Sequence, residues 1–445
     1  MRRPRAKTLR LAAVTAASAA VTAACGISNA ATTGGLAAGP SSTPITIGIS
    51  EPLSGPAQAQ GFAADGQACL QGYELWASVV NSHGGLNGHP VKLIVMNDEG
   101  WTASTKYDYR WLITHDHVDL TLAPFSSLLT ATAAGPVTKQ YGYALAAGQA
   151  GGDSVYALND RDLFSTNVPV KIQMVPFANW VASLPANIRP KTAAYPAVNN
   201  PFSDPPVVKT MLALQQAGIR TVYRAPGSIA QDGANYGYTK STPGVLKAAA
   251  NAVIAKHPDL VVLGSVDVPT VQAFIKQFIA RGFQPKMLIA AAGPDQGNQF
   301  LGAIGTGNSY GVMVPNGWFG GYSNALSHVM VQNYIAKYGG TSSVINADVA
   351  ESYSAAQVLQ AAVEATHGTV QSKLISWLHQ KNNTIQTVLG PATFGPNGEN
   401  NAALGSATIF QWQPGSGGTG AKFVQVIQNH NVSPTIIKIK PNWTG

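Results

Sequence analysis

The stretch VDLTLAPFSSLLTATAAGPVTKQYGYALAAGQ, residues 118–149, carries the pattern that decides the fold. A short apolar run over 118–123 predicts a strand, residues 128–140 predict a helix, and residues 143–147 predict a second strand. Two strands that are joined through a helix lie parallel in one sheet. The stretch therefore predicts an α/β fold that is built on a parallel sheet.

The same alternation continues on both sides of this stretch. The other predicted strands cover residues 45–49, 91–96, 191–195, 221–224, 260–264, 287–291 and 407–412. The other predicted helices cover residues 66–82, 105–114, 206–217, 245–256, 271–280, 324–338, 348–365 and 370–380, and Asn397-Gly398 predicts a turn. Two doubly wound parallel sheets follow, and ligands of such sheets bind at the carboxyl ends of the strands. A binding cleft between the two sheets is expected.

Composition excludes two broad classes. Of the 445 residues, 45% are hydrophobic and 11% are charged, which is unlike the charge-rich, apolar-poor composition of disordered chains. The net charge of +8 depends on five basic residues within the first ten positions, and without them the excess falls to +3. No run of lysine or arginine remains, so a nucleic-acid partner is not expected.

Residues 1–25 predict an export signal of the lipoprotein type. A basic start is followed by an uncharged run from Leu11 to Ala24, which is too short and too rich in alanine to span a bilayer. The sequence around Cys25, TAACG, resembles a bacterial lipobox, which implies lipidation of that cysteine and anchoring to the membrane. Cleavage after Ala30 is the alternative and would give a secreted or periplasmic protein. Residues 26–43 are small and predict a flexible tether, so the body is expected to be extracytoplasmic.

Two cysteines, Cys25 and Cys69, cannot form a disulfide framework or a zinc cluster once the first is removed or acylated. Cys69 shares an apolar stripe with Tyr73, Trp76 and Val80 at helical spacing. A buried thiol in the core is the predicted role of Cys69. No metal and no cofactor are expected.

Four segments together carry a resemblance to a known family. They are ITIGISEPLSGPAQAQG (45–61), LWASVVNSHGGLNGHPVKLIVMNDEG (75–100), WLITHDHVDLTLAPFSS (111–127) and HPDLVVLGSVDVPTVQAFIKQFIARGF (257–283). In their order and spacing they resemble the type I periplasmic binding proteins, and among these the leucine/isoleucine/valine-binding receptors of ABC importers. The likeness runs over about 45 to 415.

This resemblance implies two doubly wound parallel-sheet lobes joined by a three-strand hinge. Lobe I is expected to comprise residues 44–165 and 293–392, and lobe II residues 166–292 and 393–445. The lobes would close over a small ligand, such as an amino acid, an amide or a small carboxylate, and present it to an ABC permease. Such a receptor binds its ligand without chemical change, so the protein is not expected to be an enzyme.

Candidate site residues in lobe I follow the ends of predicted strands. Ser126 and Ser127 open a helix, and the matching serine pair in the family implies a contact to a ligand carboxylate, although Ser also favours a plain helix cap. Ala147, Gly148 and Gln149 occupy the next strand end, where the family typically has a serine or threonine that is missing here.

Three further candidates are Trp101, Phe202 and Asp267. Trp101 lies at a strand end where its ring could cover an apolar or cationic group, with surface packing as the alternative. Phe202 stands where the family often has a tyrosine. Asp267 could meet a ligand ammonium or could cap the next helix. The family glutamate that holds an α-amino group aligns with Ala230, with Asp232 two residues on, which disfavours a standard α-amino acid.

Two other functions remain open at the level of sequence. His115-Asp116-His117 could ligate a metal, but its place at the end of a helix favours solvated or capping histidines. The motifs of serine hydrolases, phosphate-binding loops and zinc proteases are missing, which makes a hydrolase less expected. A sensory or regulatory binding protein of the same fold is the closer alternative.

Overall fold

The computed structural model describes residues 43–55, 62–229, 243–322, 324–418, 420–428, 431–432 and 437–444. Within these ranges, no helix is both long and apolar enough to cross a lipid bilayer. The predicted export signal with Cys25 lies outside the described residues, and so do Ala230 and Asp232.

Lobe I is built on a sheet of five parallel strands. In chain order they are β1 (Ile45–Glu51), β2 (Val91–Asn97), β3 (Leu120–Leu122), β4 (Leu145–Ala147) and β5 (Leu163–Ser165). Their spatial order is β2-β1-β3-β4-β5. Between them lie α1 (Phe62–Ser82), α2 (Thr102–Thr114), α3 (Ser127–Leu129), α4 (Gly135–Tyr141) and α5 (Asp153–Tyr156). Helices cover both faces of such a sheet, which explains the nearly continuous apolar character of β3 and β4.

Lobe II contains an eight-stranded sheet. Its strands are β6 (Thr192–Val198), β7 (Arg220–Ile229), β8 (Leu260–Leu263), β9 (Met287–Ala290), β10 (Val312–Asn316), β13 (Thr408–Pro414), β14 (Ala421–Gln428) and β15 (Asn431–Val432). Their spatial order is β15-β14-β13-β10-β9-β8-β6-β7. Strands β6 to β10 pair in parallel, whereas β13 to β15 pair antiparallel. The helices are α6 (Val170–Gln173), α7 (Val175–Ser183), α8 (Asp204–Gln216), α9 (Pro243–Ile254), α10 (Val268–Ala280), α11 (Gly297–Ile304) and α12 (Thr306–Ser309).

After β10 the chain returns to lobe I. It adds α13 (Ala325–Tyr338), α14 (Ala347–Thr366), α15 (Gln371–Leu378) and the short hairpin of β11 (Ile385–Thr387) and β12 (Gly390–Ala392). Helix α14 packs along α1, and Gly72 allows the approach because a Cβ there would meet the carbonyl oxygen of Val349. The two lobes with helices on parallel sheets confirm the predicted fold class.

Two details differ from the sequence-based expectation. The helix predicted over 128–140 contains a π-helical turn over Thr130–Ala134, where the N–H of Gly135 donates to Thr130. Pro136 has no N–H and its ring needs room against the preceding turn, which the wider turn provides. Strand β10 belongs to the sheet of lobe II, whereas residues 293–392 were assigned to lobe I. This strand was not predicted, because Pro315 lies within it and proline is uncommon inside a sheet.

The chain crosses between the lobes three times, and the crossings lie side by side. Val168, in the first crossing, packs with Ala403 and Ala407, in the third. A Cβ on Gly317, in the second crossing, would lie 3.2 Å from the side chain of Val168. The hinge is therefore one compact bundle of three segments.

Cys69 lies in a small apolar cluster where the lobes meet. It is fully buried with Phe62 and Phe125 of lobe I, against Val266 of lobe II and the partly buried ring of Phe202. The predicted burial of this thiol is confirmed. Burial also raises its pKa, so the thiol stays protonated.

Candidate functional site

A cavity lies between the lobes, at the carboxyl ends of strands from both sheets. Residues after β3 and β4 form its lobe I wall, including Phe125 and Gln149. Residues at the ends of β9 and β10, including Ala291 and Asn316, form its lobe II wall. The space between the two walls, counting its opening to solvent, is about 600 Å³.

The structure brings four of the eight predicted ligand-binding residues to this cavity. They are Ser126, Ser127, Gln149 and Phe202. The first three follow strand ends of lobe I, and Phe202 lies in the turn between β6 and α8 of lobe II. The lobe I positions were expected from the rule that such sheets bind ligands at strand ends, and Phe202 was expected from the family resemblance.

The two serines have different surroundings. The Ser127 hydroxyl accepts from the Gly152 N–H (3.0 Å) and lies 3.3 Å from the Gln149 carbonyl oxygen, to which it donates. The Ser126 hydroxyl is buried and makes no hydrogen bond among the described residues. Ser127 thus holds together the two loops that follow β3 and β4, while Ser126 keeps its hydroxyl for another partner.

The other four predicted residues do not line the cavity. Trp101 is half-buried at the start of α2, and Ala147 is buried within β4. Asp267 caps α10, since its Oδ1 accepts from the Thr270 N–H at 2.9 Å. Gly148 lies against α14, and its carbonyl oxygen accepts from Asn167 Nδ2 at 2.9 Å.

Three carboxylic acids at the cavity were not among the predicted site residues. Asp295 follows β9, so its place after a strand was a signal that could have identified it. Asp348 and Glu351 lie in the first turns of α14. No local pattern marks them, because their position depends on how α14 packs against a sheet about 200 residues earlier in the sequence.

Burial dominates the electrostatics of these acids. It raises the pKa of Asp295 to about 6. It raises the pKa of Asp348 well above the ordinary value, and repulsion from Asp295 adds to this. Burial does the same to Glu351, where repulsion from Asp348 and Asp295 contributes and Asn167 partly offsets it. Across the described part of the chain, no lysine, arginine or histidine lines the cavity, so these carboxyl groups meet no positive charge there.

Two glutamine side chains are held with their oxygen atoms unpaired. Gln149 Nε2 donates to the Asp348 carbonyl oxygen (3.0 Å) and to Ser352 Oγ (2.9 Å). Gln173 Nε2 donates to the Val168 carbonyl oxygen at 2.9 Å. Since a carbonyl oxygen can only accept, each amide orientation is fixed. The Oε1 atoms of Gln149 and Gln173 are buried without a partner among the described residues.

Metal ligation finds no support in the residues that the structure describes. They contain no cluster of three or more histidine, cysteine or acidic side chains that could hold an ion. His115 Nδ1 lies 2.9 Å from Asp116 Oδ1, and the ring stacks on Trp111 at the exposed end of α2. His115 is the C-cap residue of α2, because its backbone N–H donates to the Trp111 carbonyl oxygen, and capping was one of the two roles favoured for these histidines.

Ser127→Ala is expected to destabilise the protein by about 1–3 kcal/mol, because the buried Gly152 N–H loses its acceptor. Ser126→Ala removes a hydroxyl without a partner and is expected to leave the free energy of unfolding nearly unchanged. Urea unfolding of both variants measures the difference. Equal losses of stability would contradict these assignments.

Comparison with known proteins places the chain among binding proteins. The family model described as "Periplasmic binding protein" matches residues 44–419. No curated protein sequence matches the chain. Two similar solved structures are LivJ of Streptococcus pneumoniae in complex with isoleucine (17% identity, 86% of this chain and 100% of that one, TM-score 0.66) and an ABC-transporter solute-binding protein of R. palustris in complex with 4-hydroxybenzoate (16% identity, 90% and 98%, TM-score 0.68). A third is the leucine-binding protein LivK of Thermotoga maritima, at 15% identity over 86% of this chain and 99% of that one, with a TM-score of 0.66.

Proposed function

Because the chain belongs to the periplasmic binding protein family, we propose that it is an extracytoplasmic solute receptor that delivers a small ligand to an ABC permease. Members of this family bind small solutes, and the structural relatives are substrate-binding proteins of ABC transporters. Lipidation of Cys25 would anchor the receptor to the membrane beside its permease.

One observation carries the proposal: a single cavity is lined by residues of both lobes at the ends of both sheets. Phe125, Gln149 and Asp348 contribute from lobe I, and Phe202 and Asp295 contribute from lobe II. A ligand that contacts both walls favours the closed arrangement by its extra affinity for it. A three-segment hinge allows such closure with few backbone changes.

The range of ligands that the family resemblance implies comprises amino acids, amides and small carboxylates. The relatives support this range, since their bound ligands are isoleucine and 4-hydroxybenzoate. In this chain the unpaired hydroxyl of Ser126 is the group that could donate to a carboxylate, while Asp295 could accept from an amino group.

A thermal-shift screen of small metabolites tests the proposal, because a ligand that binds the folded protein raises its melting temperature. A hit should also contract the protein in small-angle scattering and be recovered unchanged by mass spectrometry. Chemical conversion of the hit would indicate an enzyme instead.

Uptake separates transport from sensing. Cells that lack this gene should lose uptake of the radiolabelled hit, and the gene restored on a plasmid should recover it. Unchanged uptake, with binding intact in the purified protein, would favour the sensory or regulatory alternative on the same fold.

A further inference from the structure

We propose that the ligand is a net cation, namely an organic amine that has an apolar body and no free carboxylate. The inference rests on the proposed receptor function and adds the charge of the solute. It follows from the charge of the cavity, from its unpaired acceptors and from its aromatic wall.

The ionisable groups of the described wall are all acidic. Asp295 of lobe II faces Asp348 and Glu351 of lobe I across the cavity, and no basic side chain lines the described wall. Two more carboxyl groups, those of Asp65 and Glu51, are fully buried close behind it. An ammonium group would favour the ionised form of these acids and be attracted to it, whereas a ligand carboxylate would be repelled by that form.

Unpaired acceptors point to the same ligand chemistry independently of charge. Five residues that line the cavity are at least nine-tenths buried and have an oxygen without a partner among the described residues. Gln149 Oε1, Gln173 Oε1 and Gln296 Oε1 can only accept, and Asp348 Oδ2 accepts when the carboxylate is ionised, whereas the fifth group, the hydroxyl of Ser126, can accept or donate. A buried acceptor without a donor is costly. The ligand must therefore supply hydrogen-bond donors, and an ammonium group supplies up to three.

Aromatic rings form one part of the wall. Phe62 and Phe125 meet edge to face, with centroids 5.0 Å apart, and Phe202 with Val266 approaches from lobe II. Such rings bury an apolar body and attract a cation to their faces. An inorganic cation would leave this apolar wall unused, which favours an organic amine.

The first test compares matched solutes by isothermal titration calorimetry at pH 8. The sets are 3-methylbutylamine, leucine and 4-methylpentanoate, and 2-phenylethylamine, phenylalanine and 3-phenylpropanoate. In at least one set the amine is expected to bind at least about tenfold more tightly than the zwitterion, with no binding of the acid. A zwitterion or an acid that binds more tightly than its amine would overturn the proposal.

The second test measures how the affinity for an amine depends on pH. The acids Asp295, Asp348 and Glu351 are faced by one another and by Glu51, Asp65 and Cys69, and burial raises the pKa of each of these six groups. An amine needs the ionised carboxylates, so its affinity should rise from pH 5.5 to pH 8 with release of protons. Falling affinity over this range would contradict the proposal.

Variants of one helix supply the matched control. Asp348→Asn and Glu351→Gln should each weaken amine binding at least about tenfold. Glu364→Gln, on the exposed face of the same helix, should leave it unchanged. Circular dichroism of each variant checks that it is folded. The calorimetric comparison of solutes uses the unaltered protein, so its result does not depend on how the variants fold.

The outcomes separate this inference from the receptor function. If the metabolite screen yields a zwitterionic or anionic hit, the receptor function stands and the cationic ligand is wrong. If the hit is an amine, both stand. If no solute binds across the screen and both matched sets, the receptor function itself fails and the inference fails with it.

Discussion

Gly148→Val is expected to lower the free energy of unfolding by about 3 kcal/mol and to abolish ligand binding. A Cβ at this position would lie 2.5 Å from the carbonyl oxygen of Glu351 and 2.9 Å from the backbone nitrogen of Ser352. These are backbone atoms within α14, so no side chain can rotate away and the helix itself must shift. Because Asp348 and Glu351 lie on that helix, the shift would also displace the acidic wall of the cavity.

Urea unfolding and calorimetry with a ligand from the screen measure the two effects. Gly302→Val is the matched control, because a Cβ on Gly302 meets no atom within 4 Å. The control should unfold and bind like the parent protein. A Gly148→Val variant that did the same would show that the contact between this loop and α14 is not needed.

Acidification is expected to stabilise the ligand-free protein by about 5 kcal/mol between pH 7 and pH 5. Burial raises the pKa of Asp98 to about 7 and that of Asp267 and Asp295 to about 6. In the unfolded chain these groups titrate near pH 4. The folded state therefore binds more protons in this window, and its stability is lost as the pH rises through 6 and 7.

Chemical denaturation at pH 5, 6 and 7 without ligand measures this dependence. The buried Lys440 does not interfere, because burial lowers its pKa to about 7 and its contribution changes above that pH. Asp98→Asn carries no ionisable group at that position and should show a weaker dependence on pH. A parent protein that loses stability from pH 7 to pH 5 would contradict the prediction.

Much of the fold was predictable because its strands are short, apolar and separated by amphipathic helices. The same regularity located Ser126 and Gln149, which follow strand ends and line the cavity, whereas Phe202 was located by the family resemblance. The acidic wall was harder to predict. Asp348 reaches the cavity because the chain returns from lobe II to lobe I, where α14 packs on α1. This long-range packing cannot be read from the sequence around Asp348.

Residue type misled in two places. Asp267 has the chemistry of a ligand-binding acid, yet its carboxylate is used as a helix cap. The acid of lobe II that does line the cavity is Asp295, which was not among the predicted residues. Strand β10 was missed because Pro315 breaks its β-strand pattern.

The return of α13, α14 and α15 to lobe I also bears on the order in which the chain can fold. The core of lobe I joins Tyr73 and Trp76 of α1 to Leu359 and Val363 of α14. These partners are separated by almost three hundred residues. The first 165 residues alone would expose that apolar face, so lobe I can complete its core only after α14 has been synthesised.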